Sequence, residues 1–182
     1  MTAENQETLV FEHTETAGDA PKVASVPTGL AGLWRDLADQ GNLGKQAQSW
    51  AELMHAQLDE KAGVSPLAVF AFRYDAPSRQ LTPVGGSPKN RVGSALTIEA
   101  AQSAVDNARP VARGNMPVGE SATENKPLAA AAPLIVKDEP VGVVVIEMQP
   151  QTQTEMRWAM RRLQWGAAWL RENSPPTGGY LD

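Results

Sequence analysis

The sequence predicts an α+β fold in which helices pack on an antiparallel sheet, and three stretches carry that prediction. Residues 127–148 read PLAAAAPLIV, then KDEP, then VGVVVIEM: two strand-length runs, apolar on both faces, joined by a turn. A hairpin of this kind has both faces of its sheet covered. The β-branched run at 141–146 favours strand over helix, because such side chains pack well on a pleated surface. Residues 66–74 (PLAVFAFRY) form a second strand-like run, and residues 153–173 form a long amphipathic helix.

Taken in order, residues 1–27 predict an unfolded acidic tail. Glu4, Glu7, Glu12, Glu15 and Asp19 face Lys22 alone, and Leu9, Val10 and Phe11 are the only apolar cluster. Such a segment buries too little to offset its ordering entropy; the triplet reads alternatively as a short docking strand. Thr28 is a candidate N-cap for a helix carrying Leu30, Leu33, Trp34 and Leu37, with Gly41 and Asn42 as its stop. A second helix carries Ala47, Trp50, Ala51, Met54 and Leu58 on one face and ends at Gly63. His55 reads as a core-edge histidine rather than a metal ligand, since His13 in the tail is its only fellow.

In the 66–74 strand, alternation puts Phe70, Phe72 and Tyr74 on one face and Leu67, Val69, Ala71 and Arg73 on the other. The turn DAPS follows, then a partner strand at 80–84 ended by Gly85 and Gly86. Thr97 is the expected cap of a helix running to about Ala108, with Ile98, Ala101 and Val105 inward and Pro110 barring continuation. Residues 111–127 lack periodicity and are rich in turn formers, so they read as a long loop, functional or mobile. Thr152 and Glu155 form a T-x-x-E capping box for the last helix. Met156, Met160, Leu163, Ala167 and Leu170 make one stripe on it, and Trp158, Trp165 and Trp169 a second. Gly166 in its middle costs about 1 kcal/mol against Ala, a cost offset where a neighbouring helix comes close. Residues 174–182 read as a linker.

Composition narrows the function. A net charge of −5 and a pI near 5.1 argue against nucleic acid, whose phosphates reward a basic surface. The chain has no cysteine, which excludes disulfides, thiolate metal sites and cysteine nucleophiles. No apolar run approaches the roughly 20 residues of a membrane span, and the N-terminus has no signal-peptide pattern, so the expected compartment is the cytoplasm.

The order helix, strand, strand, short helix, variable loop, hairpin, long helix resembles a GAF domain. Residues 67–75 (LAVFAFRYD) match its first strand and 80–86 its second; 129–136 (AAAAPLIV) and 140–146 (PVGVVVI, with Gly142) match the strands before and after its turn. The resemblance covers about 30–173 and assigns 28–173 to a GAF-like domain. It implies a six-stranded antiparallel sheet with the N- and C-terminal helices on one face. On the other face a loop and short helix would close a small-molecule pocket. It further implies a bacterial sensory module, often dimeric through its terminal helices. The N-K-F-D-E type signature of the family's cyclic-nucleotide binders is absent, and its bilin-binding and methionine-sulfoxide reductase members use cysteine. The close of the last helix, LQWGAAWL, is also similar to GAF segments that precede a membrane anchor in membrane-fusion (periplasmic adaptor) proteins. That likeness implies a soluble piece of a longer protein.

The expected function is therefore a non-catalytic sensory module that binds a small ligand or transmits a dimer rearrangement. The alternative is a dimerisation module without ligand. Candidate ligand contacts are Phe72, Tyr74, Arg113, Asn115, Glu120 and Ser121. Arg113 reads either as an anion clamp or as a surface arginine with a local partner, and Asn115 and Ser121 double as turn formers. Ala129 to Ala132 either leave room for a ligand or let a helix pack closely. Met156, Met160, Leu163, Trp165 and Trp169 are the expected homodimer interface, unless the first helices cover the second stripe. Glu147 would serve acid–base chemistry only if buried and perturbed. The sequence names no cofactor.

Overall fold

The computed structural model describes residues 32–33, 36–37, 43–62, 65–116, 127–150 and 152–173. The expectations for the tail at 1–27, the Thr28 cap, Glu120, Ser121 and the linker at 174–182 lie outside the described residues. The 127–148 stretch forms the predicted hairpin, β4 (Leu128–Val136) and β5 (Glu139–Gln149). Its turn is tighter than expected: Lys137 and Asp138 alone make it, at φ 51° and 66°, and Pro140 already lies in β5 opposite Ile135. Positive φ at both central residues matches the twist of the flanking strands.

β1 (Ser65–Asp75) lies beside β5, and β2 (Gln80–Ser87) beside β1. A short strand, β3 (Val111–Gly114), pairs with β4 where a loop was expected. Pro110 before it and Gly114 at φ 105° leave four residues, too few for alternation to register. The sheet runs β2-β1-β5-β4-β3, antiparallel throughout. It has five strands among the described residues, not the six implied by the family resemblance.

One sheet edge is closed by a side chain. The Gln48 amide accepts from the Gly86 N–H at 3.0 Å and donates to the Gly86 carbonyl at 2.8 Å, as a neighbouring strand would. Gly85 and Gly86 therefore do not end β2, as expected, but lie within it. Helix α1 (Leu43–Ala62) crosses there so closely that a Cβ on Gly85 would stand 2.5 Å from the Ala47 carbonyl carbon and 2.6 Å from the Gln48 nitrogen.

Two helices cover one sheet face. α1 and α3 (Gln153–Asn173) enclose Val69, Ala71, Ala130, Ala132, Val144 and Ile146 together with Trp50, Met54, Leu58, Ala159 and Leu163. The capping box holds: Glu155 N–H donates to Thr152 Oγ1 at 3.1 Å, and Thr152 N–H to the Glu155 carboxylate at 3.3 Å. Gly166 is where α1 comes close, since a Cβ there would lie 2.7 Å from Trp50 Nε1. The opposite face is covered by α2 (Ala95–Asn107) over Ala68, Phe70, Phe72, Ala129, Ala131, Val143 and Val145. Its cap is Ser94, not Thr97: the Thr97 N–H donates to Ser94 Oγ at 3.2 Å. With the helix started three residues earlier, Thr97, Ala100, Ala101, Ala104 and Val105 turn inward, whereas Ile98, expected inside, is 44% exposed. The four alanines of β4 serve close helix packing, alternately under α2 and under the α1–α3 pair.

Candidate functional site

Strand register places Arg113, Ala129, Glu147 and Ala68 opposite one another on four neighbouring strands. Ala129 and Ala68 belong to the core beneath α2, so this row runs under the first turns of that helix. Glu147 is the buried charge of the row, its side chain 5% exposed. Both carboxylate oxygens are engaged: Thr97 Oγ1 donates to Oε2 at 2.7 Å, and the Arg91 guanidinium reaches Oε1 at 3.4 Å. A buried carboxylate without such partners would be strongly destabilising. Thr97 itself is fully buried, fixed by the N-cap one turn before it. The cluster ties β5 to α2 and to the loop after β2. Glu147 is thus buried and carries one partner on each oxygen, Thr97 and Arg91.

At the outer end of the row, Arg113 is exposed and donates to Ser103 Oγ at 2.6 Å, with Glu99 at 3.7 Å. Both partners are local, and the guanidinium itself stays at the surface. Asn115 follows it and is exposed; Glu120 and Ser121 are not among the described residues. Phe72 is not available as a pocket wall. It is 5% exposed, tilted against Phe70 at a centroid distance of 5.9 Å, and sealed beneath α2. Tyr74 packs half-buried against the same cluster. The structure thus places the candidates apart: Phe72 and Tyr74 in or beside the core, Arg113 and Asn115 on the surface at β3. Sequence reading missed Arg91 and Thr97. The one available signal was a glutamate at the inward phase of an otherwise apolar strand, because its partners lie 56 and 50 positions away.

The turn between β1 and β2 carries two further polar contacts. Ser78 donates from both its hydroxyl and its N–H to Asp75, which holds that carboxyl below its ordinary range. Arg79 bonds Asp106 at 2.8 Å and lowers its pKa likewise. Among the described residues no group of three or more His, Asp or Glu converges as a metal site.

The expected dimer residues also divide. Leu163 is fully enclosed in the chain's own core, so it covers the sheet and does not face a partner. Met156, Met160, Trp158 and Trp169 pack half-buried at the margin of that core. Trp165 is 52% exposed. It borders a shallow groove between α1 and α3, with Leu37, Trp50, Met54 and Trp169 among its walls and room for about 20 Å³. That holds a water molecule, not a metabolite. No described helix is long and apolar enough to cross a membrane.

No family model and no curated protein matches the chain. Solved structures do. A free methionine-R-sulfoxide reductase from Neisseria meningitidis aligns with a TM-score of 0.56 at 13% identity, over 79% of this chain and 84% of that one. The GAF domain of a phosphoenolpyruvate-protein phosphotransferase from Acinetobacter aligns at 0.54 and 10% identity, over 79% and 89%. The GAF domain of Nlh2 from A. aeolicus, in an inactive state, aligns at 0.54 and 13%, over 79% and 91%.

Proposed function

The chain has a GAF-like fold, and from that premise we propose that it is a non-catalytic sensory module taking a small anionic or polar molecule at the α2 face. The fold carries this reading: α1 and α3 support one face of the sheet and leave α2 and β3 to build the other, as GAF sensory domains do. Two arginines stand at that face. Arg91 lies over Glu147, and Arg113 lies at the β3 end of the same row. A guanidinium pairs bidentately with carboxylate or phosphate. One structural neighbour is a methionine-R-sulfoxide reductase; the family resemblance implies cysteine for that chemistry, and this chain has none.

A thermal-shift screen of anionic metabolites tests the proposal, because a ligand bound only by the native state raises its apparent stability. A hit should lose affinity roughly tenfold or more in Arg113→Ala; full affinity in that variant removes Arg113 from the site.

The second reading, a homodimer through α3, rests on Trp165. A helix packed on a sheet buries one apolar stripe, and the outward stripe leaves this ring half in water. Aromatic side chains suit interfaces, burying much area at low entropy cost. Wild type that sediments as a monomer at tens of micromolar, indistinguishable from Trp165→Glu, removes the dimer.

A further inference from the structure

The exposed side of α3 is basic as well as apolar. Arg161 and Arg162 lie one turn before Trp165, and Arg157 two turns before it; Arg157 and Arg161 are exposed. Arg162 lies over the Trp158 ring, 5.0 Å from its centroid. Tryptophan and arginine together form a surface for an apolar segment flanked by carboxylates. This chain contains one such segment. Between residues 4 and 19 there are Glu4, Glu7, Glu12, Glu15 and Asp19, no lysine or arginine, and the triplet Leu9, Val10, Phe11 at the centre. The place where the chain enters the fold is also fitting, since Leu37 lines the same α1–α3 groove as Trp165 and Trp169.

We propose that residues 4–19 dock in cis on the Trp165 face of α3, with Leu9, Val10 and Phe11 against the tryptophan and the glutamates beside Arg157, Arg161 and Arg162. Reach is sufficient. The 25 residues between Phe11 and Leu37 span up to about 80 Å, whereas α3, at 21 residues, is about 31 Å long. A tethered segment has an effective concentration near millimolar, so a weak contact suffices to cover the face. The docked segment occupies the surface that the dimer reading assigns to a second copy. In that respect the inference rests on the reading above, and it supplies regulation: neutralising or displacing the segment frees α3 for pairing. The ion pairs are solvent-exposed and lose strength as salt screens them.

The absence of cysteine makes the test direct. In the full chain, Thr8→Cys is combined with Gln164→Cys on the Trp165 face, or with Ala95→Cys on the opposite side of the sheet, and both are oxidised under dilute conditions. The docking predicts an intrachain disulfide at Gln164→Cys at least tenfold faster than at Ala95→Cys. The preference should fall severalfold at high salt and vanish in Phe11→Ser. Equal rates at the two positions overturn it. So does a Gln164→Cys single variant whose interchain disulfide forms as fast as the intrachain one, which would put a second copy on this face. Sedimentation of wild type and Phe11→Ser reads pairing separately. A preference for Gln164→Cys in a chain that never dimerises supports the docking and overturns only the dimer.

Discussion

Replacing Gly85 with alanine tests the central packing of the fold. Alanine in a strand interior is ordinarily better than glycine by roughly 0.5–1 kcal/mol, so local preference alone predicts stabilisation. The structure predicts the opposite. The added Cβ would stand 2.5 Å from the Ala47 carbonyl carbon, 2.6 Å from the Gln48 nitrogen and 2.7 Å from the Ala47 oxygen. These are main-chain atoms, so no rotamer change relieves the contact, and α1 itself must lift. Overpacking of this sort costs about 1–3 kcal/mol. Lifting α1 also strains the two hydrogen bonds between Gln48 and Gly86, each worth about 1 kcal/mol net. The balance is a loss of about 2–3 kcal/mol. With a urea m-value of about 2 kcal/mol/M, the midpoint of unfolding should fall by roughly 1–1.5 M at unchanged m. A midpoint equal to or above wild type would refute the close crossing of α1 over β2.

Four further outcomes follow from contacts described above. Gly166→Ala should lower stability by about 1 kcal/mol in the same assay, since its Cβ meets Trp50 and Met54 at 2.7–2.8 Å and overpacking outweighs the gain of about 1 kcal/mol in helix propensity. Thr97→Val should cost about 2 kcal/mol by removing a donor from a buried carboxylate, whereas Arg91→Ala, a partly exposed partner, should cost under about 1 kcal/mol; the reverse order would mean that the guanidinium carries the site. Lys137→Asn with Asp138→Gly should raise the melting midpoint, because both positions hold positive φ that Asn and Gly adopt more readily. Asp75 and Asp106 are held below their ordinary pKa, so their hydrogen bonds stabilise the fold above that range and are lost as pH falls through the lowered values. The melting difference between wild type and Asp75→Asn, Asp106→Asn should accordingly shrink in acid; a difference independent of pH would contradict the assignment.

Sequence reading recovered those parts of the fold that short-range chemistry specifies. α3 begins at its capping box, and β4–β5 is recognisable from two apolar runs and a turn. Where two local signals competed, the wrong one was legible. Ser94 and Thr97 both suit a helix cap; the structure caps at Ser94, which turns Thr97 inward to meet Glu147 from another strand. Gly85 and Gly86 look like a strand end until α1 is seen to cross them. Phe72 carries an aromatic's two meanings, pocket wall and core, and α2 decides for core. The site was less legible than the fold for the same reason. Arg91, Thr97 and Glu147 meet only through tertiary structure, and no spacing along the chain announces them.

The alanine run of β4 has a mechanical consequence. Ala129 and Ala131 support α2 on one side, and Ala130 and Ala132 face the α1–α3 pair on the other. Alanine has no side-chain torsion by which to absorb a displacement, so helices on both sides rest almost directly on the same peptide backbone. A shift of α2 by a fraction of an ångström therefore cannot be dissipated by rotamer changes, as it would be across a layer of leucines. It moves the strand, and the strand moves whatever leans on its other side. At these four positions the expected behaviour is that of a thin, stiff diaphragm between the α2 face and α3.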